Sequence, residues 1–143
     1  MQKTIVEDDE VLYRRVQAGR KLKVPQPDGT FRLSSQAFGD PHYRLSVNRA
    51  KLCDSDPSKV QLTSTDGVVS VVTRDVRAID SVVLYEKNRA VQLYNIDVEH
   101  VPEQDNYAHA EIFMSPSTKS QGVFRRLQER LAQMATWEIE LQE

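Results

Sequence analysis

The sequence predicts an α+β domain, in which a mostly antiparallel or mixed β-sheet is packed by a C-terminal amphipathic helix. Three observations carry this. Tyr43, Leu45 and Val47 alternate with Arg44, Ser46 and Asn48, the period-two pattern of a half-buried strand. Val68-Val69-Ser70-Val71-Val72 is β-branched and nearly all apolar, as a central strand buried on both faces would be. Val123, Leu127, Leu131 and Met134 recur at helical spacing, with Phe124 and Trp137 widening the stripe. No long helices alternate with the strands, which argues against a doubly wound parallel sheet.

The elements follow in order. Residues 1–10 carry four acids against Lys3 and read as an acidic, mobile start; residues 11–143 read as one domain. Val11 to Val16 is β-prone, and Gly19 follows it as a break. Residues 21–24 and 30–33 flank Pro25-Gln26-Pro27-Asp28-Gly29, whose Asp-Gly pair supplies the positive φ of a tight reversal. Ser34 to Phe38 leads to a turn at Gly39-Asp40-Pro41, and Asp54 to Ser58 is a polar surface connection. After the Val68 strand, Thr73 to Ile79 reads as a short helix or turn. Residues 81–85 and 91–94 read as strands about the turn Glu86 to Arg89. Pro102 to Asp105 is a loop before a strand at Asn106 to Glu111. Ser115-Pro116 reads as the start of the last helix, a cap followed by proline at the first helical position.

Composition narrows the function classes. A chain of 143 residues, 39% apolar and 28% charged, suits one globular domain with a real core. No apolar run approaches the roughly 20 residues that cross a bilayer, so no membrane role is expected. The start turns acidic where a signal peptide needs an apolar stretch. Cys53 is the single cysteine, which excludes an internal disulfide and a cysteine-rich zinc site. The cytoplasm is the expected location.

The net charge of −2 hides an asymmetry. Val11 to Cys53 holds nine Lys/Arg against Asp28 and Asp40, a net of +7. Such a half can attract phosphate-rich or acidic partners by long-range electrostatics. The plainer reading is that it neutralises the acidic remainder within one fold. Arg14, Arg15, Arg44 and Arg49 are the leading binding candidates, with Tyr13, Phe31 and Tyr43 near enough in sequence to stack bases. No RRM, KH or helix-turn-helix signature accompanies them.

The closest approach to a chemical motif is His109 with Glu111. On a strand they share a face, and a carboxylate near an imidazole suits general acid/base work. They are about two rises of roughly 3.3 Å apart, too far for an assured hydrogen bond. A half-buried histidine beside an exposed glutamate is the plainer reading. His42, His100 and His109 form no metal-binding spacing, and a site from His100, His109 and Asp97 would need the fold to assemble it. No metal and no cofactor is expected. Ser34 and Ser35 lack a GxSxG frame, and Asp54 beside Cys53 would raise its thiol pKa. No P-loop or GxGxxG stretch occurs.

Two resemblances register. The order Arg14, Ser34-Ser35, Glu111 is similar to the arginine, serine, glutamate order of ADP-ribosyltransferases, though the usual Ser-Thr-Ser triplet is absent. That resemblance implies that Arg14 and Ser35 bind NAD and that Glu111 is catalytic. Ser34 to Phe38, Gly67 to Val72 and Ala108 to Glu111 together resemble small uncharacterised bacterial proteins over about Leu12 to Trp137. This implies a bacterial origin and one domain, with no activity attached. The function expected from the +7 window is that of a non-enzymatic accessory protein in a defence, toxin or regulatory system. It would bind a protein or nucleic acid through its basic half. The alternative is a small enzyme, ADP-ribosyltransferase-like or ribonuclease-like, using His109 and Glu111.

Overall fold

Residues 1–142 are described by a computed structural model of the chain. Ten strands and two helices follow in the order β1 Val11–Val16, β2 Lys23–Pro25, β3 Phe31–Leu33, β4 Leu45–Arg49, β5 Gly67–Val72, α1 Thr73–Arg77, β6 Val83–Glu86, β7 Arg89–Leu93, β8 Asn95–His100, β9 His109–Ser115, α2 Gln121–Met134 and β10 Thr136–Ile139. Short 3-10 turns lie at Ser35–Phe38, Ala50–Cys53 and Pro57–Val60. Six strands make one antiparallel sheet in the order β10-β5-β1-β4-β9-β8. The pairs β2-β3 and β6-β7 are separate hairpins. The fold is thus α+β with an antiparallel sheet and a C-terminal helix.

Strand alternation divides the side chains between two faces. Leu12 and Val16, Leu45 and Val47, Val69 and Val71, and Ala110 and Ile112 meet Val123, Phe124, Leu127 and Leu131 of α2 in the main core. Tyr13 and Val68 face the other way, against Ala50, Cys53 and Ala108 in a smaller cluster. β5 is buried on both faces from Gly67 to Val71, as its composition implies. Gly67 has a reason to be glycine: a Cβ there would stand 2.8 Å from the Trp137 ring and 3.0 Å from the Leu141 amide nitrogen. Gly29, at φ +87, turns the β2-β3 hairpin.

Four expectations are corrected. Asn95–His100 is a strand that the reading above passed over. Its alternation is present, since Ile96, Val98 and His100 point inward, but its alternate residues are all polar or charged. The last helix begins at Gln121, capped by Ser120 Oγ accepting from the Val123 amide at 3.2 Å. Ser115 cannot start it, because pairing with Asn95 keeps it in β9. Trp137 lies beyond the helix, in edge strand β10 opposite Val69. β9 starts at His109; Glu103 and Asn106 before it close a tight turn through reciprocal backbone bonds of 3.0 and 3.1 Å.

The acidic start, expected to be mobile, carries contacts. Val6 is buried in the main core. Glu10 meets Arg49 through two hydrogen bonds, Nε to Oε1 at 2.7 Å and Nη2 to Oε2 at 2.8 Å. Arg49 also donates to Thr4 Oγ1 at 2.6 Å and to the Ile5 carbonyl at 3.0 Å. Burial alone would raise the Glu10 carboxyl; Arg49, the Glu7 amide and Lys51 outweigh it and hold the group below its ordinary range.

Candidate binding cleft

The site grows from a fork between β1 and β4. β1 pairs with β5 over six residues but with β4 over only Leu12↔Arg49 and Tyr13↔Asn48. Past Tyr13 the two strands part. The Arg49 amide donates to the Ala108 carbonyl at 2.9 Å, so odd-numbered peptide groups of β4 face β9 and even-numbered ones face β1. The rung that would follow Tyr13↔Asn48 pairs Arg15 with Ser46, and the register stops short of it. Arg14 bridges the gap instead. Its guanidinium donates to the carbonyls of Ser46 at 2.7 Å, Gly39 at 2.9 Å and Ala37 at 3.0 Å. Burial pulls Arg14 down to about 10, so it stays charged at neutral pH.

A cleft of about 550 Å³ opens at this fork, a volume suited to a small ligand or a short chain segment. Its lining carries both signs of charge. Arg15 lies on β1, Arg20 on the turn that follows it and Lys59 on a 3-10 turn, while Glu103 and Asp105 stand on the loop between β8 and β9. Gln17, Gln36, Ser46, Asn48 and Asn106 add neutral donors and acceptors. Asn106 Nδ2 donates to Asn48 Oδ1 at 2.7 Å, tying the acidic wall to β4. Arg15 lies 3.3 Å from Asp66 and Lys59 pairs with Asp54, whereas Arg20 has no ion-pair partner among the described residues. Cys53 lines the cleft, but burial pushes its thiol up, away from the thiolate a nucleophile needs.

Asp66 anchors the wall behind Arg15. Its carboxylate is 1% exposed and accepts from the amides of Leu62, Thr63 and Ala18 at 2.9, 3.0 and 3.3 Å. Burial would raise its pKa, yet these bonds to the charged form outweigh it and hold the group at about 2.

The remaining sequence candidates disperse. His109 is 6% exposed; its Nδ1 lies 2.8 Å from the Val101 carbonyl and its Nε2 2.7 Å from Ser46 Oγ. A carbonyl only accepts, so Nδ1 donates its N–H to Val101. Both ring nitrogens are therefore occupied. Glu111 shares its face but is held by Arg44 Nε at 2.6 Å, while Arg44 also pairs with Glu99 and lies over the Phe113 ring at 4.8 Å. Arg49 is 1% exposed and spent on Glu10, Thr4 and Ile5. Ser35 lines a different groove, beside Arg32 and Gln133 of α2. Arg14, Ser35 and Glu111 thus do not share one pocket. Asp97 binds Arg77 at 2.7 Å, and among the described residues no three His, Cys, Asp or Glu gather as a metal would need.

Lys59, Glu103, Asp105, Asn48 and Asn106 were not among the sequence candidates. No local pattern marks them, because they come from separate loops and strands that only the fold brings together. No protein-family model, curated protein or solved structure matches the chain. No helix among the described residues is long and apolar enough to cross a membrane.

Proposed function

We propose that the chain is a non-enzymatic accessory protein that binds a protein partner in the β1–β4 cleft, with its basic half supplying one wall. The observation that carries this is that Arg15, Arg20 and Lys59 line the same open cleft as Glu103 and Asp105. A mixed-charge site matches a polypeptide, which offers both signs. A phosphate backbone would meet repulsion from the two acids. Much of the +7 window is also spent internally, since Arg14, Arg44 and Arg49 serve carbonyls or carboxylates of the fold. An enzyme built on His109 and Glu111 is less favoured, because neither group is free to meet a substrate.

The test is retention of a partner from an extract of the source cells on the immobilised protein, compared with Arg20→Glu/Lys59→Glu. A specific protein held by the wild type, released by salt and lost on the double variant is the expected result. Equal retention by both proteins, or retention of nucleic acid in place of protein, overturns the proposal.

A further inference from the structure

One hydrogen bond in the cleft has the geometry of an activated nucleophile. Ser46, on β4, is exposed and lines the cleft. Its Oγ lies 2.7 Å from Nε2 of the buried His109 and has no other partner among the described residues. The His109 Nδ1–H is taken by the Val101 carbonyl at 2.8 Å, so the neutral ring turns its lone pair on Nε2 towards the hydroxyl. A carboxylate oxygen of Glu103, also on the cleft lining, stands 4.0 Å from Nδ1. A nucleophile, its base and a group beside the far side of that base thus follow in line. Two residues along β4 on the same face, Asn48 Oδ1 accepts from Asn106 Nδ2 at 2.7 Å, which leaves the Asn48 amide nitrogen without a partner among the described residues.

We infer that Ser46 is a nucleophile towards esters and thioesters, with His109 as its general base and Asn48 as the donor to the oxyanion. Ser46 Oγ attacks the acyl carbon while its proton passes to His109 Nε2. The negative charge that develops on the acyl oxygen accepts from Asn48 Nδ2. The bond from carbon to the leaving oxygen or sulfur then breaks, and the proton on Nε2 departs with the alcohol or thiol. An O-acyl Ser46 remains, and no oxidant or further reactant is consumed. The Val101 carbonyl and the Glu103 carboxylate hold the imidazolium that forms between the two proton transfers. Glu111 has no part in this, because Arg44 holds it. The inference goes beyond partner binding: it adds one covalent event per chain to the cleft, which an accessory protein can undergo without turnover.

The test is acylation of the full chain by p-nitrophenyl acetate, located by peptide mass spectrometry. One acetyl group per chain on Ser46 is expected, formed about a hundredfold or more faster than on any other serine. Ser46→Ala, a change at an exposed position, should remove that label. His109→Gln and Asn48→Ala should each slow it by about a hundredfold. The wild type supplies a readout that needs no variant to fold: the Ser46 rate should fall several-fold from about pH 8 to about pH 5, as His109 takes up a proton and loses its lone pair. A flat profile overturns the inference, as do acetyl groups spread over lysines and serines with Ser46 not preferred, or equal labelling of a folded His109→Gln chain. Those results leave the partner test with Arg20→Glu/Lys59→Glu standing on its own outcome. Nitrophenol release beyond one equivalent that Ser46→Ala abolishes supports the nucleophile and overturns only the non-enzymatic half of the proposed function.

Discussion

β1 and β4 meet at two ends that are built in opposite ways. At one end the strands pair, and Arg49 turns inward onto Glu10 in a closed network that also ties down Thr4 and Ile5. At the other end they part, and Arg14 reaches only carbonyls while Arg15 and Arg20 stand at an open cleft. All four arginines come from the same basic window. What separates them is what the rest of the fold brings beside them: Glu10 for Arg49, Asp66 for Arg15, backbone carbonyls for Arg14, and no ion-pair partner among the described residues for Arg20. A buried guanidinium needs hydrogen-bonding partners, a carboxylate for Arg49 and three carbonyls for Arg14, since an unpaired buried charge is strongly unfavourable. A run of positive charge in a sequence is therefore not yet a surface.

The sharpest way to break the contrast is to remove the carboxylate from the closed end. Glu10→Ala leaves Arg49 buried without its partner and is expected to destabilise by about 3–5 kcal/mol. Urea unfolding measures this; a loss below about 1 kcal/mol would mean that the node matters no more than a surface pair. The apolar replacement Glu10→Leu/Arg49→Met should recover much of the loss, because a buried pair contributes little over well-packed hydrophobes.

Asp66 comes next, at the back of the open end. Its folded-state value of about 2 lies below the ordinary 3.8, so its contribution is fully present above pH 3.8 and is lost as pH falls through about 2. At 1.36 kcal/mol per unit the contribution is about 2 kcal/mol. Asp66→Asn should remove most of that pH dependence, checked by unfolding at stepwise lower pH. An unchanged acid limb would detach Asp66 from the fold's stability.

Gly67→Ala tests the packing beside the open end. A Cβ at 2.8 Å from the Trp137 ring forces β10 to shift, at a cost of about 1–3 kcal/mol. Loss of the near-ultraviolet signal of the single tryptophan is the companion readout; a melting curve that superposes on the wild type would refute it. The smallest expected effect is at the cleft itself. Arg20→Glu should leave stability within about 0.5 kcal/mol, while reducing partner binding strongly. A stability loss as large as that of Glu10→Ala would make Arg20 structural and erase the contrast between the two ends.

Several elements were legible because their signals are local. Val68 to Val72 reads as a doubly buried strand, and the hairpin at Asp28-Gly29 follows from turn chemistry. The helical stripe Val123, Leu127, Leu131 buries as its spacing implies. β8 was missed because its inward positions, Ile96, Val98 and His100, alternate with Asn95, Asp97 and Glu99 in a short polar edge strand. The helix start was misplaced because Ser115-Pro116 has cap chemistry, yet cross-strand pairing with Asn95 keeps Ser115 extended. Of the candidate residues, Arg14 and Arg15 do reach the cleft, while Arg44 and Arg49 are claimed by Glu99, Glu111 and Glu10.

By itself, the sequence determined the fold class, the central strand, the amphipathic helix and the supply of positive charge, because periodicity and turn chemistry act within a few residues. The tertiary structure alone decided where β1 and β4 part, which arginines are consumed and which face the cleft. Those outcomes depend on pairings between residues far apart in the chain: Glu10 with Arg49, Arg14 with Ser46, and Asn48 with Asn106. No local pattern encodes such encounters. The cleft exists because a ladder two rungs long ends where its neighbour runs to six.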